Sequence, residues 1–323
     1  MKNSILWLFV LIAFPPSALH ALDRPDSSPH TVQFVTVDKD VKLEVLDWGG
    51  AGRPLVFLAG AGNTAHNFDT FAPKFTANYH VYGITRRGFG ASSKPAPQNG
   101  NYAADRLGDD VLAVIDSLSL NRPVLIGHSF AGEELSSVGS RYPGKVAGLI
   151  YLDAASGWAY YDKAHPDWVV DMDDLQKRMG KLQAGGLQDE QQFLRDMETS
   201  TTQLAKSLHE YNKTNGSMPP PPPRPAIAAA IAYGEQKYTQ IPVPILAIFA
   251  CPHTWDWAFP HDSPAKAARL AADLASCTAR ADDFAAGVPS ARVVRLPNAD
   301  HYVFNSNERD VLREMNSFLA NLP

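Results

Sequence analysis

The stretch from Val124 to Gly132, VLIGHSFAG, places one serine among small residues at the end of an apolar run. It predicts a buried strand, a sharp turn and a helix. A side chain at the tip of such a turn is held in a strained backbone conformation, and the residues two before and two after it must be small so that strand and helix can pass closely. Gly127 and Ala131 meet this requirement. Taken alone, the stretch also fits an ordinary buried strand followed by a serine helix cap.

The remaining chain predicts strands alternating with helices. Residues 31–37 and 41–48 alternate in polarity around a short turn, which predicts an antiparallel hairpin. Continuous apolar runs predict strands buried on both faces. Helical periodicity is found at 68–75, 105–118, 133–142 and 307–319, with an alanine-rich helix ending near 286. The order indicates an α/β fold with a mostly parallel central sheet flanked by helices. The strands predicted for this sheet are 54–58, 79–84, 123–126, 146–152, 243–249 and 291–296.

The segment 156–240 differs in character from the rest. It begins with an aromatic cluster, continues with amphipathic stretches and contains the run Pro219 to Pro223. We interpret it as a helical lid inserted after the sixth strand, with the prolines as a semi-rigid strap. The core then comprises 31–155 and 241–323. A proline-rich ligand for a partner domain is the alternative for the proline run.

The first residues are typical of an export signal. A basic start is followed by an apolar run at 5–14, too short to span a bilayer comfortably, and then by small residues. We expect a signal peptide over 1–21, cleaved after Ala21 or after Ala18, and a secreted or periplasmic protein without stable membrane insertion. An uncleaved anchor is the alternative. The net charge of -5, with basic residues dispersed, gives no reason to expect nucleic acid as a partner.

The only two cysteines are Cys251 and Cys277. In an oxidising compartment they can form a disulfide, and two buried thiols are the alternative. The spacing of cysteines and histidines does not predict a metal site. Nothing in the sequence implies a cofactor.

From about residue 31 to its end, the chain resembles an α/β-hydrolase. Four features carry the resemblance: the serine turn, the small-residue loop 59–63 (AGAGN), the segment 87–92 (RGFGAS) and the late turn 298–301 (NADH). The resemblance implies that Ser129 is a nucleophile and His301 its general base. It also implies an oxyanion hole made by the backbone N–H groups of Phe130 and Ala61. His128 is expected to pack beside the nucleophile, and Glu133 to face the pocket floor or bond to backbone.

The acid that orients His301 is less clear from the sequence. Most of the family place an aspartate shortly after the strand that ends here at Phe249, where this chain has CPHT. A minority place it at the end of the preceding strand, which corresponds to Asp153. We favour Asp153, with Asp256 and then Asp262 as alternatives. Asp153 can also be structural, bonding to backbone donors.

These features predict a serine hydrolase that cleaves a small or medium carboxylic ester through an acyl-enzyme intermediate, with a small-molecule ester as its partner. Trp158 and Tyr161 are candidates to line the substrate pocket, although plain packing explains them equally well. One alternative is an aminopeptidase of the proline-iminopeptidase type, whose amine-binding acids would be sought at 171–174, or a C–C bond hydrolase. A non-catalytic binding protein is another. A serine nucleophile argues against epoxide hydrolase and haloalkane dehalogenase chemistry, which uses aspartate at this position.

Overall fold

A computed structural model of the chain describes residues 28–162, 179, 190–215, 225–259 and 261–323. Several sequence predictions lie outside these residues. They are the signal peptide, the proline run, Trp168 and the acidic residues at 171–174.

Within the described residues, eight strands form one sheet in the order β1-β2-β4-β3-β5-β6-β7-β8. The first two strands pair antiparallel, as the alternating sequence predicts, and β2 also runs antiparallel to β4. All pairs from β4 onwards are parallel. The sheet confirms the α/β class and the mostly parallel arrangement. The strands are β1 Thr31–Asp38, β2 Val41–Gly49, β3 Pro54–Leu58, β4 His80–Ile84, β5 Val124–His128, β6 Gly148–Leu152, β7 Ile245–Ala250 and β8 Ala291–Leu296.

The helices lie close to their predicted positions, with one correction. Residues 68–75 do not form a single helix but contribute to two short 3-10 turns, Ala65–Phe68 and Ala72–Phe75, because Pro73 near the start of the second turn prevents a continuous helix. The α-helices are α1 Ala104–Ser117, α2 Ala131–Arg141, α3 Glu190–Asn215, α4 Ala226–Ala232, α5 Pro264–Gly287, α6 Val303–Ser306 and α7 Glu308–Ala320.

The core lies on both faces of the sheet. Because successive side chains of a strand point to opposite faces, Val56 and Leu58 of β3 belong to one apolar cluster, whereas Leu55 and Phe57 belong to the other. The first cluster contains residues of α1, α2 and α5, and the second contains residues of the two 3-10 turns, α6 and α7. Layers of helix therefore cover both faces, as a parallel sheet requires.

Two buried ion pairs fix the segment after β4 against the helices. The guanidinium of Arg86 bonds to Glu134 of α2 at 2.6 and 3.0 Å. Arg87, which is fully buried, bonds to Asp110 of α1 at 2.6 and 2.5 Å. The first residue of the RGFGAS segment is therefore part of the scaffold.

Between β6 and β7 the described residues contribute α3 and α4 and no strand. α4 packs through Ile231 on Tyr102 and Leu107. No helix in the described part of the chain combines the length and the apolar character that crossing a membrane requires.

Candidate active site

The serine of the VLIGHSFAG stretch lies at the tip of a sharp turn between β5 and α2. Ser129 has a φ of 56°, a left-handed conformation that is costly for any residue with a side chain. A Cβ added to Gly127 would lie 1.9 Å from a Leu135 methyl group, and one added to Gly132 would lie 2.0 Å from the Ala154 carbonyl oxygen. Small residues are thus required on both sides of the serine, as the sequence predicts.

A second turn of the same kind follows the neighbouring strand. Asp153 comes directly after β6, has a φ of 47° and donates its backbone N–H to Ile248 at 2.7 Å. Residue 128 of β5 pairs with Leu152 of β6, so Ser129 and Asp153 occupy equivalent positions at the carboxyl edge of the sheet. The backbone N–H of Ser129 itself points to the Leu152 carbonyl at 3.4 Å. The sheet register therefore sets the relative position of these two side chains.

The structure brings Asp153 together with His301, on the turn after β8. Their Oδ2 and Nδ1 atoms are 2.7 Å apart, and both side chains are about nine-tenths buried, with exposures of 9% and 10%. A carboxylate only accepts hydrogen bonds, so Nδ1 carries the proton and Nε2 is the basic nitrogen. The other carboxylate oxygen, Oδ1, accepts the Ala250 N–H at 3.0 Å. Asp153 thus bonds to backbone and to the histidine at once.

The charge of Asp153 is stabilised where it lies. Burial alone would raise the pKa of this carboxyl, but His253 and His301 bond to it and hold its pKa well below the usual range. Asp153 is therefore a carboxylate at neutral pH.

The small-residue loop lies directly against the serine. A Cβ added to Gly60 would be 2.9 Å from the Ser129 Cβ, so only glycine allows this approach. Asn63 N–H bonds to the Gly60 carbonyl at 3.2 Å, and Gly62 between them has a φ of 85°. Ala61 lies at the tip of that tight turn, where its own N–H takes no part in the turn's closing bond.

The loop is tied to the turn that carries His301. The Asn63 amide donates to the Tyr302 hydroxyl at 3.1 Å. This bond holds the loop to the turn that carries His301.

Phe130 and Trp158 stack beneath the serine. Their ring centroids are 4.6 Å apart at an angle of 20°, and the Trp158 indole donates to the Ser129 carbonyl at 3.3 Å. Because Phe130 is the N-cap residue of α2, its backbone N–H is among the donors at the helix start that have no partner within the helix. Tyr161 bonds through its N–H to the Tyr238 carbonyl at 2.9 Å, and its ring lies 4.9 Å from the Lys237 ammonium.

His128 links the serine turn to the histidine turn. It is fully buried, and its Nε2 lies 3.0 Å from the His301 carbonyl oxygen. Burial lowers the pKa of His128 to about 3, and the charge of His301 adds to this effect. His128 is therefore neutral and donates from Nε2, which leaves it a packing and tethering role, as expected from the sequence.

The alternative acids lie away from His301. Asp256 is paired with Lys266 at 2.8 Å and its side chain is 74% exposed. Asp262 bonds to the same lysine at 3.0 Å and is almost fully exposed. This corrects the alternatives from the sequence: both carboxylates belong to a surface ion pair at the start of α5.

Sequence reasoning gave no role to His253 and Asp273. The Nε2 atom of His253 lies 2.8 Å from Asp153 Oδ2, and its Nδ1 atom lies 3.1 Å from Asp273 Oδ2. The one available signal was the position of His253, in the loop after β7 where relatives place their acid. Asp273 stands in an alanine-rich helix with no pattern to distinguish it from a surface acid.

Glu133 does not bond to backbone among the described residues. Its side chain is fully buried, and neither carboxylate oxygen has a hydrogen-bond partner there. Burial raises the pKa of Glu133 well above its usual range, against the attraction of Arg86.

Asp153, His253 and His301 also offer ligand atoms that lie within 4.8 Å of one another, which suits a metal ion. They come from three separate loops, so the sequence spacing could not reveal them. The hydrogen-bond geometry assigns protons to the positions between them, since both histidines face the same carboxylate oxygen at 2.7 and 2.8 Å. A metal ion would have to displace both of these protons.

Comparison with known proteins agrees with this architecture. The chain matches the alpha/beta hydrolase family over residues 55–314. It is 29% identical to a fluoroacetate dehalogenase of Burkholderia sp. over 117 residues, which are 36% of this chain and 38% of that one. It is 26% identical to a 2-hydroxymuconate semialdehyde hydrolase of Pseudomonas sp. over 137 residues, 42% and 47% of the two chains.

A third relative is a bifunctional esterase/perhydrolase of Acinetobacter calcoaceticus, 28% identical over 153 residues, which are 46% of this chain and 54% of that one. The chain thus spans between about a third and about half of the length of these curated relatives. Each of the three therefore supports the family, while the activity of the whole protein has to be argued from the site.

Two solved structures share the fold over most of the chain. The crystal structure of E-2-(acetamidomethylene)succinate hydrolase has a TM-score of 0.54 and 19% identity, covering 90% of this chain and all of that one. A hydrolase from Pseudomonas aeruginosa has a TM-score of 0.56 and 23% identity, covering 90% and 98%. At these identities the likeness concerns the fold alone.

Proposed function

Because the chain belongs to the alpha/beta hydrolase family, we propose that it is a serine hydrolase that cleaves a small or medium carboxylic ester through an acyl-enzyme intermediate. The observation that carries this proposal is the 2.7 Å bond between Asp153 and His301, at the sheet edge that also presents Ser129. An oriented histidine beside a strained serine is the arrangement that serine acyl transfer needs.

In the acylation step the Ser129 hydroxyl oxygen attacks the ester carbonyl carbon, and the hydroxyl proton passes to His301 Nε2. The ester C–O bond then breaks, and the same proton leaves with the departing alcohol. Asp153 stabilises the imidazolium that forms between these two events and keeps the ring in the required tautomer.

In the deacylation step water takes the place of the alcohol. His301 accepts a proton from the water as it attacks the acyl carbon, and returns that proton to the Ser129 oxygen as the acid product leaves. The oxyanion of each tetrahedral intermediate would accept hydrogen bonds from the N–H groups of Phe130 and Ala61. Their positions, at the start of α2 and at the tip of the turn against Ser129, support this role.

A C–C bond hydrolase is the second candidate. It is favoured by the similarity to the 2-hydroxymuconate semialdehyde hydrolase, and it would use the same serine and histidine. Dehalogenation is not proposed, because the residue at the turn is serine, whereas the resemblance assigns that chemistry to aspartate. Proline-iminopeptidase activity, and a receptor without catalysis, remain outcomes of the experiment below.

We further propose that segment 156–240 covers the site as a lid and that Trp158 and Tyr161 border the substrate. The position of the segment in the chain, directly after Asp153, supports the lid. The Trp158 indole faces the serine backbone, which supports a place beside the pocket.

The proposed location is secreted or periplasmic. It is supported by the disulfide between Cys251 and Cys277, since such bonds persist in oxidising compartments. N-terminal sequencing of the protein recovered from the periplasm or medium tests this, with a mature start after Ala21 or Ala18 expected. Recovery of the full-length chain in the cytosolic fraction alone would contradict it.

The catalytic proposal is tested by hydrolysis of p-nitrophenyl esters from acetate to palmitate. We expect turnover that peaks at one acyl length, and a fall in kcat of about 10³-fold or more in Ser129→Ala and in Asp153→Asn. Asp256→Asn is the matched control, since its carboxylate belongs to a surface ion pair, and it should retain wild-type rates. Wild-type turnover in Ser129→Ala would exclude the mechanism.

Labelling with a serine-reactive phosphonate separates the alternatives. Labelling without ester turnover would indicate a competent nucleophile with another substrate, to be sought among C–C substrates and peptide arylamides. Absence of both would favour a binding protein.

A further inference from the structure

A histidine lies between two buried carboxylates next to the proposed triad. His253 Nε2 is 2.8 Å from Asp153 Oδ2, and Nδ1 is 3.1 and 3.2 Å from the two oxygens of Asp273. Asp273 and Asp153 are buried, with side-chain exposures of 2% and 9%, and the His253 side chain is 15% exposed. This row extends from α5 to the base as Asp273, His253, Asp153 and His301.

The two bonds of His253 require two protons. A carboxylate only accepts, so each ring nitrogen that faces one must donate, and only the imidazolium has two N–H groups. Burial alone would lower the pKa of His253, but the charge of Asp153 and the bonds to both carboxylates raise it to about 10. His253 is therefore a fixed cation over the range in which His301 has to exchange protons.

The backbone of His253 and that of the next residue, Thr254, are both held to the scaffold. The His253 backbone N–H donates to Asp273 at 2.6 Å, and Thr254 donates to the Ala299 carbonyl at 2.7 Å. The disulfide from Cys251 to Cys277 joins the same loop to α5 one turn beyond Asp273. The His253 ring is thus held by backbone hydrogen bonds and by a disulfide, more restraint than an incidental surface contact would have.

Further charged groups surround the row formed by the two aspartates and the two histidines. Arg280 of α5 attracts both Asp153 and Asp273, and Arg269 attracts Asp273. Asp300, beside the base, adds a further carboxyl whose pKa is raised, mainly by burial. His253 differs from the two arginines in bonding directly to the oxygen that His301 also uses.

We propose that His253 is a positioning residue: an imidazolium, held by Asp273, that orients the Asp153 carboxylate and shares its Oδ2 with His301. This inference rests on the proposed function in that Asp153 is the acid of the triad. The loop after β7, in which relatives carry the acid itself, here carries a cation that supports an acid one strand earlier.

Sharing one oxygen has a consequence for the base. Part of the Asp153 charge is neutralised by His253, so His301 receives less stabilisation of its protonated form than from a carboxylate alone. The cation thus favours the neutral imidazole, which is the form that accepts the Ser129 proton. Its removal should make His301 easier to protonate.

The protonation state of His253 is measured on the wild-type protein, without reference to any substrate. In a uniformly ¹⁵N-labelled sample, with the side-chain signals assigned through bonds, both ring nitrogens of His253 should be protonated at pH 8. A neutral tautomer of His253 at this pH would overturn the proposal, whether or not the protein hydrolyses esters.

The kinetic test compares His253→Gln and Asp273→Asn with wild type. We expect kcat to fall by about 10- to 100-fold with KM little changed, since a catalytic group misplaced by about 1 Å costs about 100-fold. The acid limb of kcat/KM should move to higher pH in His253→Gln, because the variant lacks the cation that bonds to the same Asp153 oxygen as the base. His80→Gln is the matched control, because His80 also bonds to an aspartate, Asp47, at 2.9 Å. His80 lies at the start of β4, at the end of the parallel strands opposite to the proposed site.

Folding of each variant is checked by its thermal transition, and the rate of phosphonate labelling replaces kcat/KM if no ester is turned over. An acid limb that moves in His253→Gln and not in His80→Gln supports the positioning role. A loss of rate without a shift of the acid limb of kcat/KM would show that His253 has only a structural role, and would overturn the proposal.

Discussion

The backbone of Ser129 stores strain that the chain must offset elsewhere. A residue with a Cβ in the left-handed region costs about 1 to 2 kcal/mol relative to the right-handed one. The φ of Ser129 is 56°, a Cβ added at Gly127 or Gly132 would clash, and the Trp158 indole donates to the serine carbonyl. The strain is the cost of placing Ser129 at the tip of the turn, where the residue is only 2% exposed.

This strain predicts a difference in stability between two variants that lack the serine hydroxyl. Ser129→Ala keeps the Cβ and its strain, whereas Ser129→Gly removes it, at the cost of a more flexible unfolded chain. We expect Ser129→Gly to be more stable than Ser129→Ala by up to about 1 kcal/mol. Urea unfolding of both variants measures it, and a less stable glycine variant would show that the turn is not strained.

Glu133 is a residue whose buried environment opposes the charge of its side chain. Its carboxyl is buried, and burial raises its pKa in the folded state above that of the unfolded chain. The folded protein therefore binds this proton more tightly, so the contribution of Glu133 to stability is present at low pH and is lost as pH rises toward the folded pKa.

Glu133→Gln should accordingly flatten the pH dependence of stability. The amide has similar size and does not ionise, so its Tm relative to wild type should rise between pH 5 and pH 9. A gain of about 1 kcal/mol at the alkaline end corresponds to about 2 to 4 °C. Scanning calorimetry across this range tests it, and a constant difference between the two proteins would contradict it.

At the scale of elements, α2 and the segment after β6 approach each other closely, backbone against backbone, beside the site. Gly132 in the first turn of α2 faces the carbonyl of Ala154, so the serine turn and the Asp153 turn pack against each other. Backbone on both sides leaves no flexible side chain to move aside.

Gly132→Ala should therefore be strongly destabilising. Its Cβ would lie 2.0 Å from the Ala154 oxygen, and we expect a loss of about 2 kcal/mol or more, with loss of turnover. Gly144→Ala is the control, because nothing lies within 4 Å of a Cβ added there. Chemical denaturation compares the two, and equal stabilities would show that the junction can open.

The strands and the serine turn were predictable because their signals are local. A strand buried on both faces needs a continuous apolar run, and PLVFL matches β3 residue for residue. The predicted strand ARVVRL also matches β8 residue for residue, although its two arginines are exposed. The positions of Ser129 and His301 at one sheet edge follow from the same order of elements. The prediction of one helix over 68–75 was wrong. The spacing of apolar residues there resembles that of a helix, but Pro73 divides the segment into two short turns.

The row of Asp273, His253 and Asp153 could not be predicted in this way. Its members contact one another across 20 and 100 residues of chain, from a helix, a loop and a strand end. None of these contacts leaves a periodic pattern, because each depends on where a loop lies in the folded protein. The choice between Asp153 and Asp256 depended on the same information.

At the scale of the whole molecule, a disulfide joins the loop after β7 to α5. Cys251 follows β7 and Cys277 lies in α5, with Cα atoms 5.5 Å apart and a sequence separation of 26. The bond restricts the unfolded chain and fixes the loop that carries His253.

Removing the bond should lower global stability. For a loop of this length the chain-entropy relation gives about 3.5 kcal/mol, equivalent to a fall in Tm of about 7 to 14 °C. The Cys251→Ser, Cys277→Ser double variant is compared with wild type by calorimetry. Wild type under reductant should approach the variant, and an unchanged Tm in both would contradict a stabilising role.

The paired turns at Ser129 and Asp153 have a consequence for how such a protein can diverge. Neighbouring parallel strands are about 4.8 Å apart, so the separation of the proposed nucleophile and acid is a property of backbone spacing and is inherited with the sheet. The chain between β6 and β7 can then be lengthened, shortened or exchanged by descent while that separation stays constant. Selection on what is cleaved can act there without disturbing how it is cleaved.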